Sequence, residues 1–168
     1  MNNDTLTNTH TYLTFRLGKE FFAANVSNVL NILEMLPITQ IPKAPEYMKG
    51  VVNLRGAVLP VIDTRIKFGM PATELGANTA ILVLNVHIEG KEVKLGAIVD
   101  SVDEVMELEE SQIQQPPGIG GKYKSEFILG MAQKESGFIM LLDMDKVFST
   151  DEILEVTQAN SGNESTGN

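Results

Sequence analysis

Val26, Val29, Ile32 and Glu34 recur as Val99, Val102, Val105 and Glu107, each 73 positions later. Further along, Gly50, Asp63 and Phe68 return as Gly130, Asp143 and Phe148, each 80 positions later. Apolar residues match at that same spacing, Val58, Leu59, Val61 and Ile62 against Phe138, Ile139, Leu141 and Leu142. Between these blocks Ile41-Pro42 falls near Gln115-Pro116, so the longest insertion lies in the loop at 116–126. A pattern written twice implies two related units. At 168 residues the chain has room for one compact body or two very small ones, so the units must share a core.

The repeating unit is β-rich. Leu13, Phe15 and Leu17 alternate with polar residues, as do Leu82, Leu84, Val86 and Ile88, which is the period of half-buried strands. Turn residues follow these runs at Gly18-Lys19-Glu20 and Glu89-Gly90-Lys91, and Arg55-Gly56-Ala57 divides a third pair of apolar runs. Pro60 has no N–H to give a ladder, which places its strand at an edge or a bulge. Val26, Val29, Leu30 and Leu33 have helical spacing after Asn25, a possible cap, and predict a helix of about two turns. The expected class is all-β, with two barrels of about five strands on a shared apolar seam and few short helices. One half spans about 12–70 and the other about 78–149, with strands free to cross between them. Residues 1–11, which include His10, and 150–168 are rich in Asn, Thr, Ser, Gly and Glu and are expected to be flexible tails.

Several chemistries are excluded by what is missing. There is no cysteine, hence no disulfide, thiolate metal site or thiol nucleophile. Of two histidines, His87 shares a polar strand face with Asn85 and Glu89, and no G-x-S-x-G elbow exists to build a triad around it. Asp100, Asp103 and Glu104 lack the glycine and terminal Glu of a calcium loop and read as solvated acids. The stretch Pro117-Gly118-Ile119-Gly120-Gly121-Lys122 has Pro116 where a phosphate loop needs its first glycine and Tyr123 where it needs Ser or Thr. Asp143 and Asp145 read as a wet strand end. A net charge of −9 repels nucleic acid on average. The N-terminus has no signal-peptide pattern, and no apolar run reaches membrane-span length. The chain is therefore expected to be a soluble cytoplasmic protein, not an enzyme, with no cofactor and no metal.

Binding is the class the residues favour. Arg55 sits at a hairpin tip, and Gly56 beside it lets a partner backbone approach. Glu34 closes the apolar run that begins at Val29 and precedes Met35-Leu36-Pro37; most of these pack in the core by default, and any that a small barrel cannot enclose must face a groove. A small-ligand or substrate-processing barrel, with Asp63 and Asp143 converging on a pocket, is the alternative. An oligonucleotide-binding barrel has only its strand count in favour.

The run Gly50, Asn53-Leu54-Arg55-Gly56, Pro60, Asp63, spaced G-x-x-N-L-R-G-x-x-x-P-x-x-D, resembles the CheW family of bacterial chemotaxis coupling proteins and the homologous regulatory domain of the CheA histidine kinase. The resemblance takes in Tyr47-Met48-Lys49, the segments at 26–34 and 81–107, and in all about 12–148. It implies two SH3-like five-stranded barrels around a common core. It also implies an adaptor joining the cytoplasmic tips of methyl-accepting chemotaxis receptors to CheA, recruited to membrane-associated arrays without inserting in the membrane. Carried over by motif, Ile32, Glu34, Arg55 and Gly56 are the partner-binding residues, with Lys49, Gly50 and Val99 as weaker candidates on the same face. Thr64 departs from the family's usual Leu, while Arg65 is kept.

Overall fold

The computed structural model describes residues 9–115, 127–135 and 137–148. Ten strands form two five-stranded sheets. They are β1 (Thr9–Leu17), β2 (Glu20–Asn25), β3 (Val29–Glu34), β4 (Met48–Leu54), β5 (Ala57–Asp63), β6 (Ala80–Ile88), β7 (Lys91–Val99), β8 (Ser101–Glu109), β9 (Ile128–Lys134) and β10 (Gly137–Leu142). Two short helices, α1 (Thr64–Lys67) and α2 (Met144–Val147), follow β5 and β10. Sheet A runs β8-β1-β2-β10-β9 and sheet B runs β3-β6-β7-β5-β4. The orders are the same when each strand of the first half is matched to the strand five places later, so the sequence repeat is a repeat of topology. The strands do cross over: sheet A takes β1 and β2 from the first half, and sheet B takes β6 and β7 from the second.

Each sheet is rolled up by its own chain. After β3 the backbone runs on to a bridge between Thr39 and Val51, and after β8 to one between Gln114 and Met131. Sheet B encloses Val52, Leu59, Val61, Ile81, Val83 and Ile98, and sheet A encloses Tyr12, Ala23, Leu108, Ala132, Ile139 and Leu141. The largest apolar cluster lies between the barrels and contains Leu13, Phe15, Leu17, Leu82, Leu84, Val86, Ile88, Val99 and Phe148, all buried. Each such side chain contributes about 1.5–3 kcal/mol by leaving water, against about 0–1 kcal/mol for a surface ion pair, so this seam joins the barrels.

Several sequence expectations change on this frame. β6 is not half-buried, since Ile81 and Val83 fill sheet B's interior while Leu82 and Leu84 enter the seam. The helix expected from Val26 is a single 3-10 turn, Val26–Asn28, before β3. Asn25 does cap it, accepting from the Ser27 N–H at 2.9 Å, but pairing of Val29–Glu34 with β6 outweighs helical spacing. Residues 9–11 are not tail: Thr9, His10 and Thr11 pair with Glu109, Leu108 and Glu107 of β8, a ladder made by backbone groups whatever the side chains. Pro60 lies in an interior strand. Both polar groups of its β4 partner Val51 bond Thr39, so Pro60 nitrogen faces away from β4, one residue before the ladder to β7 begins at Val61. No donor is needed there. Residues 1–8 of the expected N-terminal tail, the expected C-terminal tail at 150–168 and the insertion at 116–126 lie outside the described residues.

The repeated glycine also has a physical cause. A Cβ on Gly50, at φ +145°, would stand 2.1 Å from Thr39 oxygen, and one on Gly130 would stand 2.4 Å from Ile113 Cγ2 and 3.0 Å from Gln114 oxygen. Both glycines let the rolled-up segment pass against the strand after it. Gly50→Ala is expected to lower stability by about 3 kcal/mol, because backbone cannot yield and φ is positive. Gly130→Ala should cost only about 1 kcal/mol, since its nearest neighbour is a side-chain methyl. Urea unfolding of the two variants tests that order.

Candidate functional site

β3 is the outermost strand of sheet B, and its side chains alternate between the barrel interior and solvent. Leu30, Ile32 and Glu34 fall two residues apart and all face outward, and a bulge at Leu30 lies between the Val29–Leu84 and Asn31–Val83 pairs. Leu30 is 50% and Ile32 46% exposed. β8 has the matching bulge at Asp103–Glu104, where the buried Thr14 hydroxyl donates to Glu104 oxygen at 2.9 Å and accepts its N–H at 3.0 Å. Val105, the repeat of Ile32, is likewise exposed. Ile32, Leu33 and Glu34 form one wall of a groove of about 530 Å³ whose opposite wall, from sheet A, includes Arg16, Val102 and Asp103. A second depression of about 430 Å³ lies around Phe21, whose ring is flanked by Arg16 at 4.9 Å and Lys134 at 4.7 Å.

The second element of the site is the β4–β5 hairpin. Arg55 and Gly56 are its two-residue loop, with φ of 53° and 86°, the positive pair that a primed turn requires. Asn53 Oδ1 accepts from the Gly56 N–H at 2.7 Å and fixes the turn. Asn, Asp or Gly suits the first position, and arginine there costs about 1 kcal/mol in left-handed backbone. Its guanidinium is exposed and has no hydrogen bond or ion pair with any described residue. Val58, 54% exposed, stands on the same hairpin opposite Asn53.

The seven sequence-predicted residues separate. Ile32 and Glu34 line the groove, while Arg55 and Gly56 occupy the hairpin tip. Lys49 is 38% exposed, with Nζ 3.9 Å from Asp63 Oδ2. Gly50 and Val99 are correction cases. Val99 is fully buried in the seam and Gly50 is buried under Thr39, so neither presents a side chain to a partner.

The pocket expected around Asp63 and Asp143 does not form. Each instead caps a short helix, Asp63 accepting from Arg65 N–H at 3.0 Å and Asp143 from Lys146 N–H at 3.3 Å. Asp63 is fully buried and also accepts from Thr73 N–H at 2.9 Å and Thr73 hydroxyl at 2.7 Å. Thr64 beside it is fully buried with an unpartnered hydroxyl. Asp100 is not a solvated acid. It accepts a fork from Arg65, Nε at 3.0 Å to both oxygens and Nη2 at 2.6 Å, and that hydrogen bond holds the guanidinium above the ordinary arginine range. Sequence reasoning missed Asp100 and Leu30. Leu30 could have been found by extending the face of Ile32 and Glu34 back by two residues. Among the described residues no group of three His, Asp or Glu side chains could hold a metal ion, and no helix is long and apolar enough to cross a membrane.

Arg55→Gly removes strain and side chain together. It is expected to raise stability by about 1 kcal/mol while leaving the fold intact, which thermal unfolding checks.

Comparison with known proteins adds a family to this geometry. The family model described as CheW-like domain matches residues 11–152. The chain is 32% identical over 142 residues to a chemotaxis protein CheW of Klebsiella aerogenes, covering 84% of this chain and 83% of that one. It is 34% identical over 140 residues to one from Rhizobium meliloti, covering 83% and 88%. The crystal structure of the scaffolding protein TtCheW from Thermoanaerobacter tengcongensis superposes with a TM-score of 0.72 at 29% identity, over 85% of this chain and 94% of that one.

Proposed function

This chain belongs to the CheW-like domain family, and on that premise we propose that it is a non-enzymatic adaptor coupling methyl-accepting chemoreceptors to the histidine kinase CheA in bacterial chemotaxis. The observation that carries the reading is Arg55. A residue held in left-handed backbone, with its guanidinium exposed and unpaired among the described residues, is costly to the fold and leaves that cation available to another molecule.

The groove suits the cytoplasmic tip of a receptor. Such a tip is a helical hairpin, and an apolar helix face lies well against Ile32 and Leu33, with Glu34 at the rim to fix its register. The β4–β5 hairpin, with Arg55, Gly56 and Val58, and Lys49 as a lesser contact, is a second surface. Two faces of about 800 Å² per partner are enough to hold kinase and receptor at once. Coupling needs differential affinity for active and inactive kinase, because tethering alone shifts no equilibrium. The adaptor works in the cytoplasm at membrane-associated receptor arrays, with no cofactor, nucleic acid or membrane insertion.

Phosphate incorporation into the kinase, measured with receptor-containing membranes, tests this. The wild-type chain should stimulate it in a receptor-dependent way, and Arg55→Glu should not. Arg55→Ala should weaken partner binding by about 30-fold, equivalent to about 2 kcal/mol. Equal binding by Arg55→Ala and wild type would remove the basis of the proposal.

A further inference from the structure

The described chain passes between the sheets twice, at 25–28 from β2 to β3 and at Asp100 from β7 to β8. At the second crossing Asp100 ties two other segments, α1 and the end of β1, to its own. Arg65, in α1 beyond the sheet B strand β5, donates its fork to Asp100. Gly18, just past β1 of sheet A, donates its N–H to Asp100 Oδ2. The N–H of Asp100 itself donates to Arg16 oxygen in β1 at 3.0 Å. The two ionic side chains are only 23% and 20% exposed, and a forked, charge-assisted contact so shielded is stronger and more directional than an open surface pair.

The duplication supplies an internal comparison. Phe15 pairs with Val102 and Leu84 with Val29, so β1 and β6 can be laid over one another residue by residue. Gly18 stands three residues past Phe15, and His87 three past Leu84. The His87 N–H donates to Asp145 Oδ1 at 2.8 Å, and Asp145 holds in α2 the place that Arg65 holds in α1. In each half, then, the short helix closing one sheet reaches the end of a strand in the other sheet. One half does so directly through a carboxylate, the other through an arginine and a carboxylate in series. Two unrelated sets of side chains make the same attachment, which marks it as something the arrangement of the sheets uses.

Arg16 and Ser101, a ladder pair flanking Asp100, both line the groove whose far wall is Ile32, Leu33 and Glu34 of sheet B. We infer that Arg65 and Asp100 form a clamp that positions the two walls of this groove, and so sets its fit to the helical tip it receives. The hydrophobic effect that holds the seam together is non-directional, whereas a planar fork adds one contact of defined distance and direction. The occupant of the groove rests on the adaptor reading above, and the positioning of the walls does not.

The chain has no cysteine, so two introduced ones are its only labelling sites. Asn78→Cys on the sheet B side and Glu107→Cys on β8 carry spin labels, and pulsed electron spin resonance reads the distance distribution between them. In the otherwise wild-type chain it should be narrow. Arg65→Gln and Asp100→Asn should each broaden it, the double variant no more than either alone, and Arg65→Lys should restore most of the sharpness. Binding of a receptor-tip helical hairpin fragment should fall about tenfold in each single variant and no further in the double. Circular dichroism identifies any variant that has lost its fold, and Asp100→Asn, which keeps an acceptor for Gly18, is the milder one. An unchanged width in folded Arg65→Gln and Asp100→Asn would overturn the clamp. A broadened width with unchanged fragment affinity would overturn its positioning role. Failure of the wild-type chain to bind the fragment would instead overturn the adaptor reading, and the distance distributions would still decide the clamp.

Discussion

Leu13, Phe15 and Leu17 of β1 share one buried cluster with Leu82, Leu84, Val86 and Ile88 of β6, and the placement of the other elements follows from that contact. β1 and β6 are repeats of one another, so the seam is built from the same strand used twice. Each of these strands can turn a second face into its own barrel, as β6 does with Ile81 and Val83. Because each sheet also borrows strands from the other half, a barrel cannot be cut out of the sequence as a continuous segment. The tail-to-head crossing at Asp100 is then a consequence of topology, and a charged fork at that point joins the sheets where the chain itself does.

The exposed features sit on what this frame leaves over. β3 and β8 are the strands at the same end of their respective sheets, each carries a bulge, and each exposes an apolar residue, Ile32 in one and Val105 in the other. Acids beside them, Glu34, Glu107 and Glu109, blunt the edges against nonspecific strand pairing, which leaves apolar surface available to a partner of defined shape. The β4–β5 hairpin differs in kind. Its tip is held by Asn53, and it displays a cation that no described residue neutralises.

Fold and site were legible in the sequence to different depths. The two fixed spacings carried the duplication, the strand content and the hairpin at Arg55, because glycine, aspartate and alternating apolar residues leave a mark wherever backbone geometry demands them. What lay beyond reach was long-range pairing. Val29–Glu34 has helical spacing and became strand because β6 lies beside it, and Pro60 is interior because Thr39 takes the polar groups of Val51. Val99 repeats Val26, yet one is fully buried and the other 36% exposed, so equal positions in a repeat need not share a surface. Gly50 belongs to the recognised motif for a packing reason, the approach of Thr39, that no spacing reveals. Asp100 looked like one more acid among several, since its partner Arg65 is 35 residues away.

Two interleaved barrels on one seam must behave as a single folding unit. Differential scanning calorimetry of the whole chain tests it most directly. The interleaved topology predicts one transition, with a calorimetric enthalpy of about 0.7 kcal/mol per ordered residue equal to the van't Hoff enthalpy. Two resolved transitions, or a van't Hoff enthalpy near half the calorimetric value, would mean that the barrels unfold independently and would contradict it.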